Sequence, residues 1–319
     1  MSLAHNKVVV IPMAGDDAVP IKNIITVGLE NADFSNPINA LESIADATRL
    51  EPYLVFIGPG TYTLGKALFI PTNVHVVGSG IGVTILEAGF GHATDVAQSA
   101  VVSMRGGGSQ SAASLRDLSV YQYGFSNGIS TGVYAVSQVD ISNVDVRVTS
   151  SGTVNYGIYF QQTSAKLKDS LVETNNASLF TASIYMNNGT NILAGTSIKA
   201  QSGIFVAGIY NLNARLTSRN VDAIARWELG TNSIWGFYGR SDSISSFTDA
   251  YYSSFTLSGV SSQEAVPNSA GCFLDTVGTN SFDYTRLTFG CQSSRNNIAR
   301  CLYSNNSVAE FEVDCVGLR

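Results

Sequence analysis

The side chains able to do chemistry are few and widely spaced. The 319 residues include three histidines, His5, His75 and His92, and no two share the His-x-x-x-His spacing that brings a pair of imidazoles to one metal ion. His75 stands between Val74 and Val76 in an alternating strand pattern and is expected to point outward as an ordinary polar position. Asp16-Asp17 lies far upstream of the first helix signal, and the many serines lack the elbow motif that exposes a nucleophile. Gly78-Ser-Gly80-Ile-Gly82 follows a strand as a phosphate-binding loop would, but such a loop needs a helix N-terminus directly behind it. Here Val83-Thr-Ile-Leu86 reads as another strand, so the glycines are expected to form a turn. No metal and no cofactor are expected.

The richest cluster runs from Arg226 to Tyr252. It holds both tryptophans, Trp227 and Trp235, together with Tyr238, Arg240, Asp242, Asp249, Tyr251 and Tyr252. Aromatic faces pack against sugar rings while carboxylates and guanidinium groups bond hydroxyls, so these eight residues are the candidate ligand-binding set. The competing reading is that they cover a wider turn of the fold. Tyr134, Tyr159 and Tyr185 could form a sugar-binding stripe, but regularly spaced aromatics of this kind are expected to be packing. Asn143, Asn176, Asn188 and Asn220 are expected to be turn residues in left-handed backbone.

All four cysteines, Cys272, Cys291, Cys301 and Cys315, fall in the last 48 residues. Their phase in the repeat described below suggests disulfides Cys272–Cys301 and Cys291–Cys315, which would imply an oxidising compartment. The alternative is four reduced, buried thiols.

The elements that must position these groups are mostly short strands. Ser, Asn and Thr supply 86 residues and Gly another 30, a composition of strands and turns. One helix is signalled, over Pro37–Ala47 with Asn36 as N-cap, ending before Pro52. Strands follow at Tyr53–Ile57, Thr61–Leu64, Ala67–Ile70 and Val74–Val77. The chain then repeats. Gly132-Val-Tyr-Ala135, Gly157-Ile-Tyr-Phe160, Ser183-Ile-Tyr-Met186 and Gly203-Ile-Phe-Val206 align, with a second apolar position at Ile141, Leu167, Ile192 and Leu212. A period of about 20–26 residues without helices predicts stacked coils, because one such unit cannot bury its own apolar face. Propeller blades, at about 40–45 residues, are too long.

The segment from Asn36 to Ile85 resembles the opening of right-handed parallel β-helix proteins of the pectin lyase-like superfamily. The resemblance rests on the capping helix, on Pro52-Tyr-Leu-Val-Phe-Ile-Gly-Pro-Gly-Thr-Tyr62, on Ala67-Leu-Phe-Ile-Pro71 and on Val74-His-Val-Val-Gly-Ser-Gly80. It implies an all-β fold, a right-handed parallel β-helix solenoid with a short N-terminal capping helix. The organisation expected is an irregular extension over residues 1–35 and a single β-helix domain over 36–319. The Gln-Asp-Thr, Asp-Phe-Ile-Phe-Gly and Gly-Arg-Pro-Trp signatures of pectin methylesterases are absent. So are the Asn-Thr-Asp, Asp-Asp, Gly-His-Gly and Arg-Ile-Lys elements of polygalacturonases, and no catalytic residue carries over.

A net charge of -6, with no basic patch, argues against a nucleic-acid partner. No apolar run approaches the roughly 20 residues of a membrane helix. Met1-Ser2-Leu3 reads as an appended start, so the lack of a leader says little about compartment; a secreted or cell-surface location is the expectation. The reading favoured is a structural or carbohydrate-binding module with polysaccharide as its possible partner. The alternatives are a divergent polysaccharide lyase or glycoside hydrolase, and a phage-type tail-fibre segment, with a monomer or a homotrimer as the oligomeric states to separate.

Overall fold

The computed structural model describes residue 21 and residues 23–28, 30–107, 112–227, 233–241, 247–251, 253–259, 268–276, 281–285, 288–292, 300–305 and 314–316. Beyond residue 226 it describes side chains only at 233–240, 253 and 255. The chain forms β1 (Asn23–Val27), a helix α1 (Pro37–Glu42), then β2 (Tyr53–Ile57), β3 (Gly60–Thr63), β4 (Leu68–Ile70) and β5 (Val74–Val77). There follow β6 (Thr84–Ala88), β7 (Ala100–Arg105), β8 (Ala113–Tyr123), β9 (Ile129–Thr149), β10 (Val154–Lys168), β11 (Leu171–Asn175), β12 (Phe180–Ala194) and β13 (Ser197–Gln201). Next come β14 (Phe205–Arg219), β15 (Asp222–Trp227), β16 (Ser233–Ser241), β17 (Phe247–Tyr251) and β18 (Ser254–Gly259). The last are β19 (Asn268–Thr276), β20 (Ser281–Thr285), β21 (Thr288–Gln292), β22 (Arg300–Asn305) and β23 (Asp314–Val316).

Every strand pairing is parallel, and each strand pairs with its equivalent in the coil before and the coil after. The result is a right-handed parallel β-solenoid of about eight turns among the described residues. It has three faces. The first stacks β1, β2, β5 and the start of β8, then the later halves of β9, β10, β12 and β14. The second stacks β3, β6, the end of β8, the end of β9, β11, β13, β15, β18 and β21. The third stacks β4, β7, the first half of β9, then β10, β12, β14, β16, β19 and β22.

Each face sends alternate residues inward. Leu115, Ile141, Leu167 and Leu193 are in register on the first face and fully buried. Val120, Val146, Val172 and Ile198 do the same on the second, and Val133, Ile158, Ile184, Ile209 and Phe237 on the third. Two of the anchors expected from sequence need correction. Leu193, not Ile192, follows Leu167, and Leu212 pairs with Asn187. Ile192 and Leu212 are only partly buried. Apolar character alone does not fix the register, because one position of slip moves a side chain to the other face of a strand.

The corners are made by residues with positive φ. Asn143 (51°), Asn176 (69°), Asn188 (61°) and Asn220 (50°) all adopt the left-handed backbone expected of them. Asp117, Asn143, Asp169, Gly195 and Asn220 form one such column, and Asn143 Nδ2 donates to Asp117 Oδ1 at 2.7 Å. Within β10, on the third face, the position of Gly157 needs a residue without bulk. A Cβ on Gly157 would lie 2.5 Å from the Ser183 carbonyl oxygen and 2.5 Å from Val172 Cγ1.

Helix α1 begins as expected: Asn36 Oδ1 accepts from Ile38 N at 2.8 Å and Pro37 opens the first turn. It stops at Glu42 rather than Ala47, because Ser43 Oγ donates to the Ala40 carbonyl and competes with the helix ladder. Pro37, Ile38, Ala40 and Leu41 are buried against the first coil. β1 pairs residue for residue with β2, so a strand lies inside the stretch 1–35 expected to be irregular. Residues 1–20 lie outside the described residues.

Candidate functional site

The third face carries the most distinctive surface. On its outer side Tyr134, Tyr159, Tyr185, Tyr210 and Tyr238 occupy one register position in five successive coils. Their ring centroids are 5.7, 4.7, 4.9 and 4.5 Å apart. This is the stripe foreseen from Tyr134, Tyr159 and Tyr185, with one correction: Tyr210, not Phe205, is the fourth member. Two Gly-Ile-aromatic triplets lie five residues apart in that coil, and the second, Gly208-Ile-Tyr210, takes the register. The backbone register continues through Phe273 and Tyr303.

A second layer of rings braces the column. Tyr156 packs edge-on against Tyr159 and Tyr185 at 5.0 and 5.1 Å, and Phe180 does so against Tyr210 at 5.5 Å. Room for this layer comes from Ala182 and Ala207, fully buried beneath it. Burial pushes the Tyr156, Tyr159 and Tyr185 hydroxyls to higher pKa, so these three are uncharged at neutral pH. Beside it runs an outward row that includes Val136, Gln161, Asn187, Leu212 and Arg240. Asn187 Nδ2 donates to Gln161 Oε1 at 3.3 Å.

Of the eight residues expected to bind ligand, three have described side chains. Trp235 and Tyr238 are each 7% exposed and in contact with one another at 4.7 Å, with Phe205 and Tyr210 on their other sides. Their ring faces are therefore covered by neighbouring rings. Arg240 is exposed at the edge of the same face. The side chains of Trp227, Asp249 and Tyr251, and the whole of Asp242 and Tyr252, lie outside the described residues. So do the four cysteine side chains. In the backbone register Cys272 stands opposite Leu302, Cys291 opposite Leu257 and Cys315 opposite Phe289.

At the N-terminal end of the tyrosine column there is a cavity of about 380 Å³, lined among others by Phe69, Gln98, Ser103, Arg105 and Tyr134. Phe69 is opposite Ser103, and Ser103 opposite Tyr134, so the cavity continues the same register position. Its wall is the 95–99 turn, where Asp95 Oδ1 accepts from Ala97 N and Gln98 N, and Asp95 N donates to His92 Nδ1. Sequence reading passed over this place because its residues share no motif and meet only through register.

The first face brings together a row that spacing along the chain kept apart. His75, Ser114 and Asp140 are consecutive in register, and His75 Nδ1 lies 2.8 Å from Ser114 Oγ. His75 points outward, as expected, but it is 2% exposed instead of solvated. Burial, reinforced by the Arg116 charge, lowers its pKa to about 4. A neutral imidazole in this position could accept a proton, yet it has no path to substrate, and the row reads as packed polar structure. On the second face two carboxylates are held by cations: Asp145 pairs with Arg147 at 2.9 Å and Glu173 with Lys199 at 2.5 Å. Among the described residues no three His, Cys, Asp or Glu side chains gather as a metal would require. No described helix is long and apolar enough to cross a membrane.

Comparison with known proteins agrees with this architecture. The chain superimposes on pectin methylesterase from carrot with a TM-score of 0.58 at 14% identity, covering 92% of this chain and 90% of that one. For pectate lyase Pel9A the TM-score is 0.52 at 14% identity, covering 91% and 79%. For ORF18 of Geobacillus virus E2 it is 0.50 at 14% identity, covering 88% of this chain and 58% of that one. At these identities the likeness is one of fold. No curated protein matches by sequence. The sequence profile of the rhamnogalacturonase A/epimerase, pectate lyase-like family matches residues 21–224, and with that extent of match the chain belongs to this family.

Proposed function

We propose that the protein is an extracellular polysaccharide-binding β-helix whose glycan surface is the third face. One observation carries this reading: a tyrosine recurs once per coil along the solenoid axis, and beside it Gln161, Asn187 and Arg240 stand in one row, interspersed with Val136 and Leu212. Tyrosines at regular spacing, with amide and guanidinium groups beside them, suit a linear polymer with a hydroxyl-rich repeat better than a compact ligand. The names of the pectin-acting proteins that share the fold point to the same ligand class. On the second face Asp145 and Glu173 are held in ion pairs, which supports binding over acid–base chemistry at those two carboxylates.

The test is a glycan array run beside reducing-end and unsaturated-product assays on acidic polysaccharides. Binding without turnover supports the proposal, whereas turnover replaces it with a lyase or hydrolase. The structural likeness to a viral protein favours a second reading, a tail-fibre segment. Light scattering separates it, since a trimer of about 100 kDa supports a fibre and a 33.8 kDa monomer does not.

A further inference from the structure

The column Phe69, Ser103, Tyr134, Tyr159, Tyr185, Tyr210, Tyr238 is aromatic at every position except Ser103. We propose that this missing rung is a binding slot for a planar aromatic ring bearing a carboxylate, clamped between Phe69 and Tyr134 with its anion on Arg105.

The geometry follows from the strand spacing. Adjacent strands lie about 4.8 Å apart, so Phe69 and Tyr134, two strands apart, are separated by roughly 10 Å. Neighbouring rings in the stacked part of this column sit 4.5–4.9 Å apart, so one further ring between the two has the spacing the column already uses. The space exists, as the cavity of about 380 Å³ between these residues. Its aromatic walls are available. Phe69 is 49% exposed, and Tyr134 is tilted 35° from Tyr159 at a centroid distance of 5.7 Å, the loosest contact in the column. Two aromatic walls favour a π-system as the occupant.

The charge of the ligand comes from the cavity edge. Arg105 lines the cavity, is exposed, and forms no ion pair with a carboxylate among the described residues. Its charge and that of Asp95 both act on the Tyr134 hydroxyl, in opposite senses. Asp95, however, is turned to its own turn, accepting from Ala97 N, Gln98 N and Gln98 Nε2. Asp95 keeps its negative charge with its oxygens taken by its own turn, so the guanidinium is the charged group with donors to offer a ligand, and those donors select an anion.

The experiment is calorimetric titration of the full chain with 4-hydroxybenzoate, its neutral analogue 4-hydroxybenzamide, and glucuronate. The expected result is binding of 4-hydroxybenzoate, about tenfold weaker binding of the amide, and about tenfold loss in Arg105→Gln. Ser103→Tyr supplies the missing rung and should abolish binding while leaving the unfolding midpoint unchanged or higher. If that variant does not fold, Phe69→Ala, a substitution at a half-exposed position, should weaken binding at least about tenfold. Binding that survives both Phe69→Ala and Ser103→Tyr overturns the proposal, as does absence of binding to the wild type. Tighter binding of glucuronate than of 4-hydroxybenzoate, lost in Ser103→Tyr, overturns the aromatic assignment and returns the slot to the glycan surface.

Discussion

Tyr185 and Tyr210 lie with their ring planes 4° from parallel and their centroids 4.9 Å apart. That distance is the spacing of the strands beneath them, so the rings stack because the backbones do. Tyr185 meets Tyr159 on its other side at 4.7 Å and Tyr156 and Phe180 at its edges. Tyr185→Ala is expected to cost about 2–4 kcal/mol in urea unfolding, from lost burial and four ring contacts. Tyr185→Phe keeps the rings and should stay within about 1 kcal/mol of the wild type.

The register also decides which aliphatic residues matter. Leu167→Ala and Leu193→Ala each remove a fully buried side chain and should cost about 2–5 kcal/mol. Ile192→Ala, one position away and pointing to the outer side, should cost markedly less. Equal losses at 192 and 193 in the same unfolding assay would contradict the register.

Two glycines should respond in opposite ways to alanine. At Gly157 the new Cβ meets the Ser183 carbonyl oxygen at 2.5 Å, inside a strand that the coils above and below hold fixed, and a loss of about 3 kcal/mol or more is expected. At Gly65 a Cβ meets nothing within 4 Å, so Gly65→Ala should be neutral or stabilising by up to about 1 kcal/mol. Thermal melts of the two variants check both.

His75 gives the molecule an acid sensitivity of definite sign. Its folded pKa of about 4 lies below the unfolded value of 6.5, so the unfolded chain binds the proton first. Stability is then full above about pH 6.5 and falls as pH drops toward 4, by about 3 kcal/mol in total. In His75→Asn the slope between pH 6.5 and 4 should flatten, measured as urea midpoints at half-unit steps. An unchanged slope would show that other groups carry the acid response.

Much of the fold was legible in the sequence because a solenoid repeats its instructions. The helix start at Asn36-Pro37, the strands at Tyr53–Ile57 and Val74–Val77, and the left-handed asparagines all have local causes, a cap, an alternation or a short polar side chain, and all were found where expected. Register is different, since it depends on the neighbouring coil. Gly203-Ile-Phe205 and Gly208-Ile-Tyr210 are locally equivalent, and only pairing with β12 distinguishes them. The cavity beside Ser103 was illegible for the same reason. Phe69 and Tyr134 are 65 positions apart in the chain, and nothing in either segment announces the other.

The spacing of 25, 26 and 25 residues between Tyr134, Tyr159, Tyr185 and Tyr210, with every pairing parallel and to the adjacent coil, makes the length of this rod a quantised property. A one-residue difference between coils is taken up at a bulge, as between Gln161 and Thr163, while gaining a whole coil disturbs nothing, because each coil recognises only a surface that its copy would also present. A tandem duplication of residues 154–179 would therefore extend the axis by about 4.8 Å and add one tyrosine to the column, leaving the end that holds Phe69 and Arg105 as it is.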